Sequence, residues 1–460
     1  MANFIFLARL ALSNLLVLAS TSRFVSIFEV NLEDILHSLQ NIQASLIYLA
    51  RLFLSLQCIK NFMYFMNIIR NLFFSLLLCL SFANSARAEV KVSVLTCSPG
   101  DEVYALYGHT ALRCQDYSRN MDLVFNYGLF DFNTPNFMWR FMLGETDYMV
   151  GCVDYSDFVP EYEMRGSGIV EQVLNLTDEE AETLYRLLME NIKRENRVYR
   201  YRYLDCNCTT KARDKVLEAL KGSGTVVYKG KPVATGTYRD ALSTTVESNP
   251  WYTFGINLLL GADVDKTPSR EAMQFLPNNF MNDLAGAYIV EPDGTERRVV
   301  AETNILVQKK NKSVARNNFT PFNCVLLLLL GTFIAMLCEL RKRKTYWGVD
   351  IALMLLQGLP GLLLLFMALF SQHPAVGNNW LLLLLNPLAL VLMPVLVCRI
   401  RKHGDMRIAW VQVALVALFL LAAIFGLQVF PTPIYFFAAA LLARALFHIY
   451  KDKICELNIV

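Results

Sequence analysis

Charged side chains are scarce in this sequence of 460 residues, where they make up 18% against 55% hydrophobic residues. Soluble globular proteins carry about a quarter, so a purely soluble chain is excluded. Neither sign is in marked excess, since 43 basic residues face 40 acidic ones. This balance excludes the strongly basic surface typical of nucleic-acid binding, and the apolar content excludes a disordered chain.

Histidine is also rare. The chain has five, and only His109 lies between residues 89 and 320. Catalytic zinc usually takes two or three nitrogen ligands, so a histidine-based metal site is not expected in that segment. The sequence predicts neither a metal nor another cofactor.

The charges that are present divide the chain into segments. Residues 89–320 hold 58 charged residues with a net charge of −6, whereas residues 321–460 hold 16 with a net charge of +6. Residues 1–88 hold nine and contribute +3. The middle segment therefore has the composition of a soluble domain, and the C-terminal third has that of a membrane domain.

Five apolar stretches in the C-terminal third are close to the roughly 20 residues that cross a bilayer. They are about Phe322–Leu340, Val349–Phe370, Trp380–Cys398, Ile408–Gln428 and Thr432–Ile449. Lys and Arg follow the first, third and fifth stretches, while the connections Ser371–Asn379 and Phe430–Pro433 contain neither. Basic loops stay in the cytoplasm, so the C-terminus is predicted to be cytoplasmic and the soluble domain to lie outside.

Arg444, the one Lys or Arg inside a span, either snorkels toward the cytoplasmic face or contacts a lipid head group.

The N-terminal region contains an export signal that starts late. Residues 63–88 combine a short basic start, an apolar core and the cleavage motif Ala86-Arg87-Ala88, so Glu89 would begin the mature chain. Residues 1–62 are then interpreted as an over-extended start or a leader outside any domain. An additional N-terminal membrane or amphipathic segment is the alternative.

The exported domain, residues 89–310, is predicted to be α+β, and residues 311–320 to link it to the membrane domain at 321–455. Val90–Thr96, Val103–Cys114 and Leu123–Phe130 have strand character. The two predicted helices are Thr177–Arg194, with a capping box at Thr177, and Cys208–Leu220.

Cysteine and histidine supply the candidate chemistry of this domain. Five cysteines lie in it: Cys97, Cys114, Cys152, Cys206 and Cys208. Disulfides form in an oxidising compartment, but an odd number leaves a free thiol, and the pairing is open. Cys208 begins a predicted helix, where backbone N–H groups and the helix dipole lower a thiol pKa. With His109 in reach it would be an activated nucleophile; the alternative is that Cys206 and Cys208 are structural, in a disulfide or zinc site.

A third group usually orients the base of such a pair. Asn126 is the leading candidate because it lies on the strand after the one that carries His109. The hairpin brings the two strands together, but its register is not determined by the sequence. Asp122 and Asp131 are therefore competing candidates, and Asn126 could equally be an ordinary turn or edge-strand residue.

Several motifs together resemble the Lnb family of lipoprotein N-acyltransferases. They are Thr96-Cys97-Ser98-Pro99-Gly100-Asp101, Tyr107-Gly108-His109-Thr110-Ala111-Leu112-Arg113, Phe125-Asn126-Tyr127-Gly128, Asn207-Cys208-Thr209-Thr210 with Arg213-Asp214, Trp251 with Phe254-Gly255, and Phe275-Leu276-Pro277. The resemblance covers about residues 90–455, including five transmembrane helices. The order of His, polar residue and Asn-Cys is also similar to circularly permuted papain-like folds, the NlpC/P60-related and lecithin:retinol acyltransferase-like enzymes.

The resemblance implies a function and a site. Cys208 would be the nucleophile, His109 the base and Asn126 the orienting residue, with supporting or oxyanion roles for a further set. That set is Asn207, Thr209, Thr210, Tyr107, Arg213 and Asp214. The implied enzyme moves an acyl chain from a membrane phospholipid, through a cysteine thioester, to the α-amine of a diacylglyceryl-modified apolipoprotein. It would be a multi-pass protein of the inner membrane of a Gram-negative-type cell, with its catalytic domain in the periplasm. A membrane-anchored cysteine peptidase or amidase acting on peptidoglycan or peptides is the alternative, and a non-enzymatic scaffold a third possibility.

Overall fold

The structure is a computed structural model that describes residues 90–232, 235–310, 318–402 and 406–456, with residue 38 and the short stretches 41–42, 44–49 and 66–75. Residues 1–87 form a unit of their own, in which 44–49 and 66–75 are helical. The predicted cleavage motif at 86–88 lies outside the described residues. Residues 88–460 form the second compact unit.

A seven-stranded antiparallel sheet forms the centre of the exported domain. The strands are β1 Lys91–Cys97, β2 His109–Asp116, β3 Met121–Leu129, β4 Asp147–Asp154, β5 Ile169–Leu174, β6 Val198–Arg200 and β10 Val300–Val307. Their order in the sheet is β10-β5-β1-β2-β3-β4-β6. A smaller sheet, β7-β8-β9, consists of Thr225–Tyr228, Ala287–Val290 and Glu296–Arg298. The α+β class predicted for this domain is confirmed.

Helices cover both faces of the large sheet because its inner strands alternate apolar side chains toward either face. The helices are α1 Phe137–Leu143, α2 Tyr155–Arg165, α3 Asp178–Asn191, α4 Cys208–Leu220, α5 Tyr238–Thr245, α6 Pro250–Leu259, α7 Arg270–Met273 and α8 Pro277–Ala285. Val94 and Leu112 share a core with α3 and α4 on one face. Leu95 and Ala111 pack with Phe158 of α2 on the other.

The second predicted strand is wrong in its first half. Val103–Ala105 is a 3-10 turn, and the strand begins only at His109. Gly108 explains the break, since its φ of +81° lies in the left-handed region and a Cβ there would be 2.6 Å from the carbonyl oxygen of Cys97. The residues before Gly108 are largely apolar, so the sequence pattern predicted a strand where the turn lies.

Helices occupy all five predicted membrane stretches. They are α9 Pro321–Lys342, α10 Trp347–Phe370, α11 Leu388–Arg401 preceded by a 3-10 turn at Trp380–Leu383, α12 Ala409–Ile424 and α13 Thr432–Glu456. By length and composition, four segments of the described chain can cross a membrane: Pro321–Lys342, Trp347–Phe370, Trp380–Arg401 and Thr432–Lys451. The fourth predicted span falls short as a helix, because α12 ends at Ile424 and its 16 residues reach only about 24 Å.

Arg444 neither snorkels nor faces lipid, contrary to both sequence interpretations. It is buried in the helix bundle, where its Nη2 lies 2.7 Å from Asp350 Oδ2 and 2.8 Å from Glu339 Oε1. The pairing joins α13 to α9 and α10. A buried charge needs such partners because the apolar interior solvates it poorly.

The exported domain is docked on the membrane helices at one end. Asn379 Nδ2 donates to the carbonyl of Leu258 at 2.8 Å, and Gln428 Nε2 donates to that of Leu260 at 3.1 Å. The backbone N–H of Val429 donates to Asp265 Oδ2 at 3.0 Å, and Asp265 also pairs with the buried Arg239. The domain therefore lies beside the two connections that lack Lys and Arg, at the end of the bundle that the charge pattern predicted.

Candidate active site

Cys208 is the first residue of helix α4, as predicted. Asn207 caps the helix by accepting the N–H of Thr210 at 2.9 Å, and Thr210 Oγ1 accepts the N–H of Asn207 at 2.8 Å. The buried Asn207 side chain also donates to the carbonyls of Tyr203 and Phe275, both at 2.8 Å. Asn207 and Thr210 thus fix the start of the helix, while the N–H groups of Cys208 and Thr209, also in its first turn, have no carbonyl acceptor within the helix.

His109 begins strand β2, and Asn126 lies on β3 with its side chain on the same face of the sheet. Asn126 is opposite Ala111, two residues from His109, so the pleat directs both side chains the same way. Asn126 Oδ1 lies 3.1 Å from His109 Nε2. The competing candidates are elsewhere: Asp122 binds Arg113 at 2.6 Å, and Asp131 accepts from Asn133 at 2.8 Å.

The Cys208 and His109 side chains are close enough that each shifts the pKa of the other. Burial raises the pKa of the Cys208 thiol, but the charge of His109 and its hydrogen bond outweigh burial and bring this pKa to about 7. Burial lowers the pKa of His109, but the Cys208 thiolate and hydrogen bonds to Cys208 and Asn126 raise it above its ordinary value. Both shifts favour a thiolate–imidazolium pair, the reactive form of a cysteine nucleophile.

Strands and helix meet closely around the thiol. Thr110 Oγ1 and Thr209 Oγ1 are 3.1 Å apart and buried, which joins β2 to the start of α4. Thr209 Oγ1 is 3.8 Å from Cys208 Sγ. Gly128, with a φ of +90°, lies against the thiol from β3: a Cβ there would be 3.5 Å from Cys208 Cβ.

Two family models match this chain over the regions just described. The Lnb N-terminal periplasmic domain matches residues 82–244, and the Lnb transmembrane domain matches residues 310–453, together about two thirds of the chain. The chain belongs to the Lnb family. This confirms the resemblance carried by its motifs and establishes a membrane protein with a periplasmic domain. Searches of curated proteins and of solved structures returned no match.

Tyrosines surround the Lnb site, and sequence reasoning missed all of them except Tyr107. The Tyr107 and Tyr203 rings are 5.2 Å apart, and those of Tyr148 and Tyr201 are 4.2 Å apart. Burial raises the pKa of Tyr201 and Tyr203 well above the ordinary value, so both phenols stay protonated and able to donate. The alternation Tyr199-Arg200-Tyr201-Arg202-Tyr203, which is separated by three residues from Asn207-Cys208, was the available signal, because period-two spacing directs alternate residues to one side.

The remaining predicted residues lie around this centre. Arg213 and Asp214 pair with each other at 2.7 Å farther along α4, and Arg213 also donates to the carbonyl of Glu271 at 2.7 Å. Cys206 closes a tight backbone bridge with Arg202, and burial raises the pKa of its thiol. The exported domain's five cysteines are free thiols, so no disulfide pairs them: Cys97, Cys114, Cys152, Cys206 and Cys208.

Asn126→Ala is expected to slow alkylation of Cys208 by iodoacetamide at pH 7 about tenfold. The variant removes the acceptor of His109 Nε2, and a hydrogen bond to a charged group contributes about 1.5–3 kcal/mol. Asn126→Asp keeps an acceptor and is the matched control, expected to react faster than the alanine variant. Equal rates for wild type and Asn126→Ala would show that Asn126 does not hold the imidazole.

Proposed function

We propose that this Lnb protein is an apolipoprotein N-acyltransferase in which Cys208 is the nucleophile, His109 the general base and acid, and Asn126 the residue that positions the imidazole. The observation that carries the proposal is the joint placement of Cys208, His109 and Asn126 in a domain docked directly on membrane helices. A helix that begins at cysteine and packs on the histidine-bearing strands also favours the circularly permuted papain-like fold.

The first half-reaction forms a thioester. The Cys208 thiolate attacks the carbonyl carbon of a phospholipid acyl ester, and the N–H groups of Cys208 and Thr209 at the start of α4 stabilise the oxyanion in this proposal. The bond to the glycerol oxygen then breaks. Protonated His109 gives its proton to this leaving oxygen, which releases a lysophospholipid and leaves the acyl chain on Sγ.

The second half-reaction forms an amide. The free α-amine of a diacylglyceryl-cysteine N-terminus attacks the thioester carbonyl, and His109 accepts a proton from the amine. The carbon–sulfur bond breaks, so the acyl chain leaves on nitrogen and the Cys208 thiolate is restored beside protonated His109. The two half-reactions make the enzyme a ping-pong acyltransferase that needs no cofactor.

The membrane domain supports this choice of substrates. Both proposed substrates are held in the membrane by their acyl chains, and a domain held at the membrane meets them at high effective concentration. We propose that α12 completes a fifth span with the residues around it, that the protein lies in the inner membrane, and that the exported domain faces the periplasm. Phospholipids and diacylglyceryl-modified apolipoproteins are then the partners.

A reconstituted reaction tests the proposal. The full-length protein in lipid nanodiscs receives a phospholipid with an isotopically labelled acyl chain and a peptide with an N-terminal diacylglyceryl-cysteine. Mass spectrometry is expected to find one labelled chain on the peptide amine and one lysophospholipid for each peptide modified. Cleavage of peptidoglycan stem peptides by the same preparation, with no acyl transfer, would instead establish the peptidase.

A further inference from the structure

One part of the exported domain exposes large apolar side chains beside the membrane helices. The apolar ridge, residues 130–143, consists of the loop after β3 and helix α1. Phe132 is 61% exposed, Met138 67%, Trp139 51% and Phe141 41%. Soluble surfaces rarely gather so many large apolar groups, and such patches mark interaction sites.

Contacts with α10 fix the depth of this ridge. The Trp139 ring lies 4.9 Å from that of Phe366, which is one turn before the helix ends at Phe370. Four residues of helix rise about 6 Å, so Trp139 reaches below the outer end of a membrane span. The ridge therefore lies at the height of the outer leaflet, where tryptophan and phenylalanine side chains commonly anchor interfacial helices.

Two hydrogen bonds to backbone carbonyls of α1 hold it in this position. The N–H of Gln372 donates to the carbonyl of Leu143 at 2.8 Å, and His373 Nε2 donates to that of Phe141 at 2.8 Å. Both donors follow the end of α10 directly. The one Lys or Arg of the ridge, Arg140, pairs with Asp147 at 3.4 Å, so the exposed face of α1 is apolar.

The ridge leads from the membrane to Cys208. Phe137 stacks on Phe130 with ring centroids 5.5 Å apart, and Phe130 follows Gly128, which lies against Cys208, by two residues. Two residues of extended chain span at most about 7 Å. Phe130 also contacts Tyr148 at 5.0 Å, and Tyr148 contacts Tyr201 beside the thiol. A series of aromatic contacts thus runs from the ridge to Tyr201, whose phenol is affected by the charge of Cys208.

We propose that the apolar ridge inserts into the outer leaflet and binds the acyl chain of the donor phospholipid, so that the ester to be attacked arrives at Cys208. The inference rests on the proposed function for its substrate. Its occupant is lipid because the ridge is continuous with the end of α10, at a depth where hydrocarbon is the surrounding medium. Chain binding along the ridge also lets the lipid keep its tail in apolar surroundings while its ester leaves the bilayer.

Photo-crosslinking tests the contact without requiring turnover. The full-length protein and its Cys208→Ala variant are placed in nanodiscs of phospholipid with a diazirine near the end of an acyl chain. Irradiation is expected to label peptides within residues 130–143 in both proteins. Peptides around Tyr117, which is 80% exposed at the far end of β2 from His109, should stay unlabelled.

Introduction of a negative charge into the apolar ridge tests its role in the reaction. Trp139→Glu and, separately, Met138→Glu are expected to lower transfer from a long-chain phospholipid at least tenfold. Acylation of Cys208 by the small water-soluble ester p-nitrophenyl acetate should stay within twofold of wild type, which also reports a folded site. Tyr117→Glu is the matched control and should change neither rate.

The outcomes separate this inference from the proposed function. If crosslinks formed only within α9–α13 and both glutamate variants transferred acyl chains at the wild-type rate, acyl-chain binding by the ridge would be refuted. The proposed acyltransferase activity would then still stand. Crosslinks at 130–143 in a protein that transfers no acyl chain would support the lipid contact and refute the acyltransferase. Loss of both acylation rates in both glutamate variants would show a disturbed site and overturn a role confined to acyl-chain binding.

Discussion

Cys208→Ala is expected to abolish transfer of acyl chains to lipoprotein N-termini, with a loss on the order of 10³-fold or more. The thiol is the only group at the start of α4 that forms the covalent intermediate of the proposed reaction, and alanine offers no nucleophile. In cells, lipoproteins should then carry a free α-amine, which mass spectrometry of their N-terminal peptides detects. The fold should survive, because the cap made by Asn207 and Thr210 does not use the sulfur.

Cys206→Ala is the matched control for that loss. It removes a thiol two residues away whose pKa is raised by burial, and whose backbone bridge to Arg202 does not depend on the side chain. This variant should retain most of the activity. Full N-acylation by Cys208→Ala would refute a thioester at this position, whatever the effect of Cys206→Ala.

His109→Ala is expected to raise the pKa of the Cys208 thiol from about 7 to its ordinary value of about 9 or above. The substitution removes the charge and hydrogen bond that lower this pKa, while the burial that raises it remains. At pH 7 the thiolate fraction would fall from about one half to about 1%, a change of roughly 50-fold, since each pKa unit is a factor of ten. Acyl transfer should fall further, because the leaving oxygen also loses its proton donor.

The rate of alkylation against pH measures this shift directly. Iodoacetamide labelling of Cys208, read by tandem mass spectrometry, should have its midpoint near pH 7 in wild type and at least two pH units higher in His109→Ala. Cys206 in the same molecule is the internal reference, because its raised pKa should keep its labelling at high pH in both proteins. An unchanged midpoint for Cys208 would mean that His109 does not activate the thiol.

The local parts of the site could be predicted from the sequence because they depend on residues that are close together in the chain. The helical spacing of apolar residues within Cys208–Leu220 and the Thr177–Glu180 capping box predicted two helices whose starts the structure confirms. The partner of His109 depends instead on hairpin register, and a shift of one residue would have turned Asn126 to the other face. The choice among Asn126, Asp122 and Asp131 therefore needed the pairing of Ala111 with Asn126.

Long-range packing explains what the pattern missed in the membrane domain. Arg444 looked isolated because its partners, Glu339 and Asp350, are about a hundred residues away in the chain. The end of α12 at Ile424 could not be predicted, because the residues that follow it are also apolar. The docking contacts of Asn379 and Gln428 could not be predicted either, because no sequence pattern indicates which distant carbonyl a loop amide will bind.

Docking through Asp265, Asn379 and Gln428 has a consequence for how substrates are chosen. A domain fastened at several points along its base does not swing on its linker, so Cys208 stands at one height along the membrane normal. In the proposed reaction, substrates would then be selected by the height of their reactive group above the bilayer as well as by its chemistry. For the proposed substrates, the acyl ester of a phospholipid would have to rise to this height, and the α-amine of a lipoprotein would have to lie near it, so the fixed height of Cys208 would contribute to selectivity.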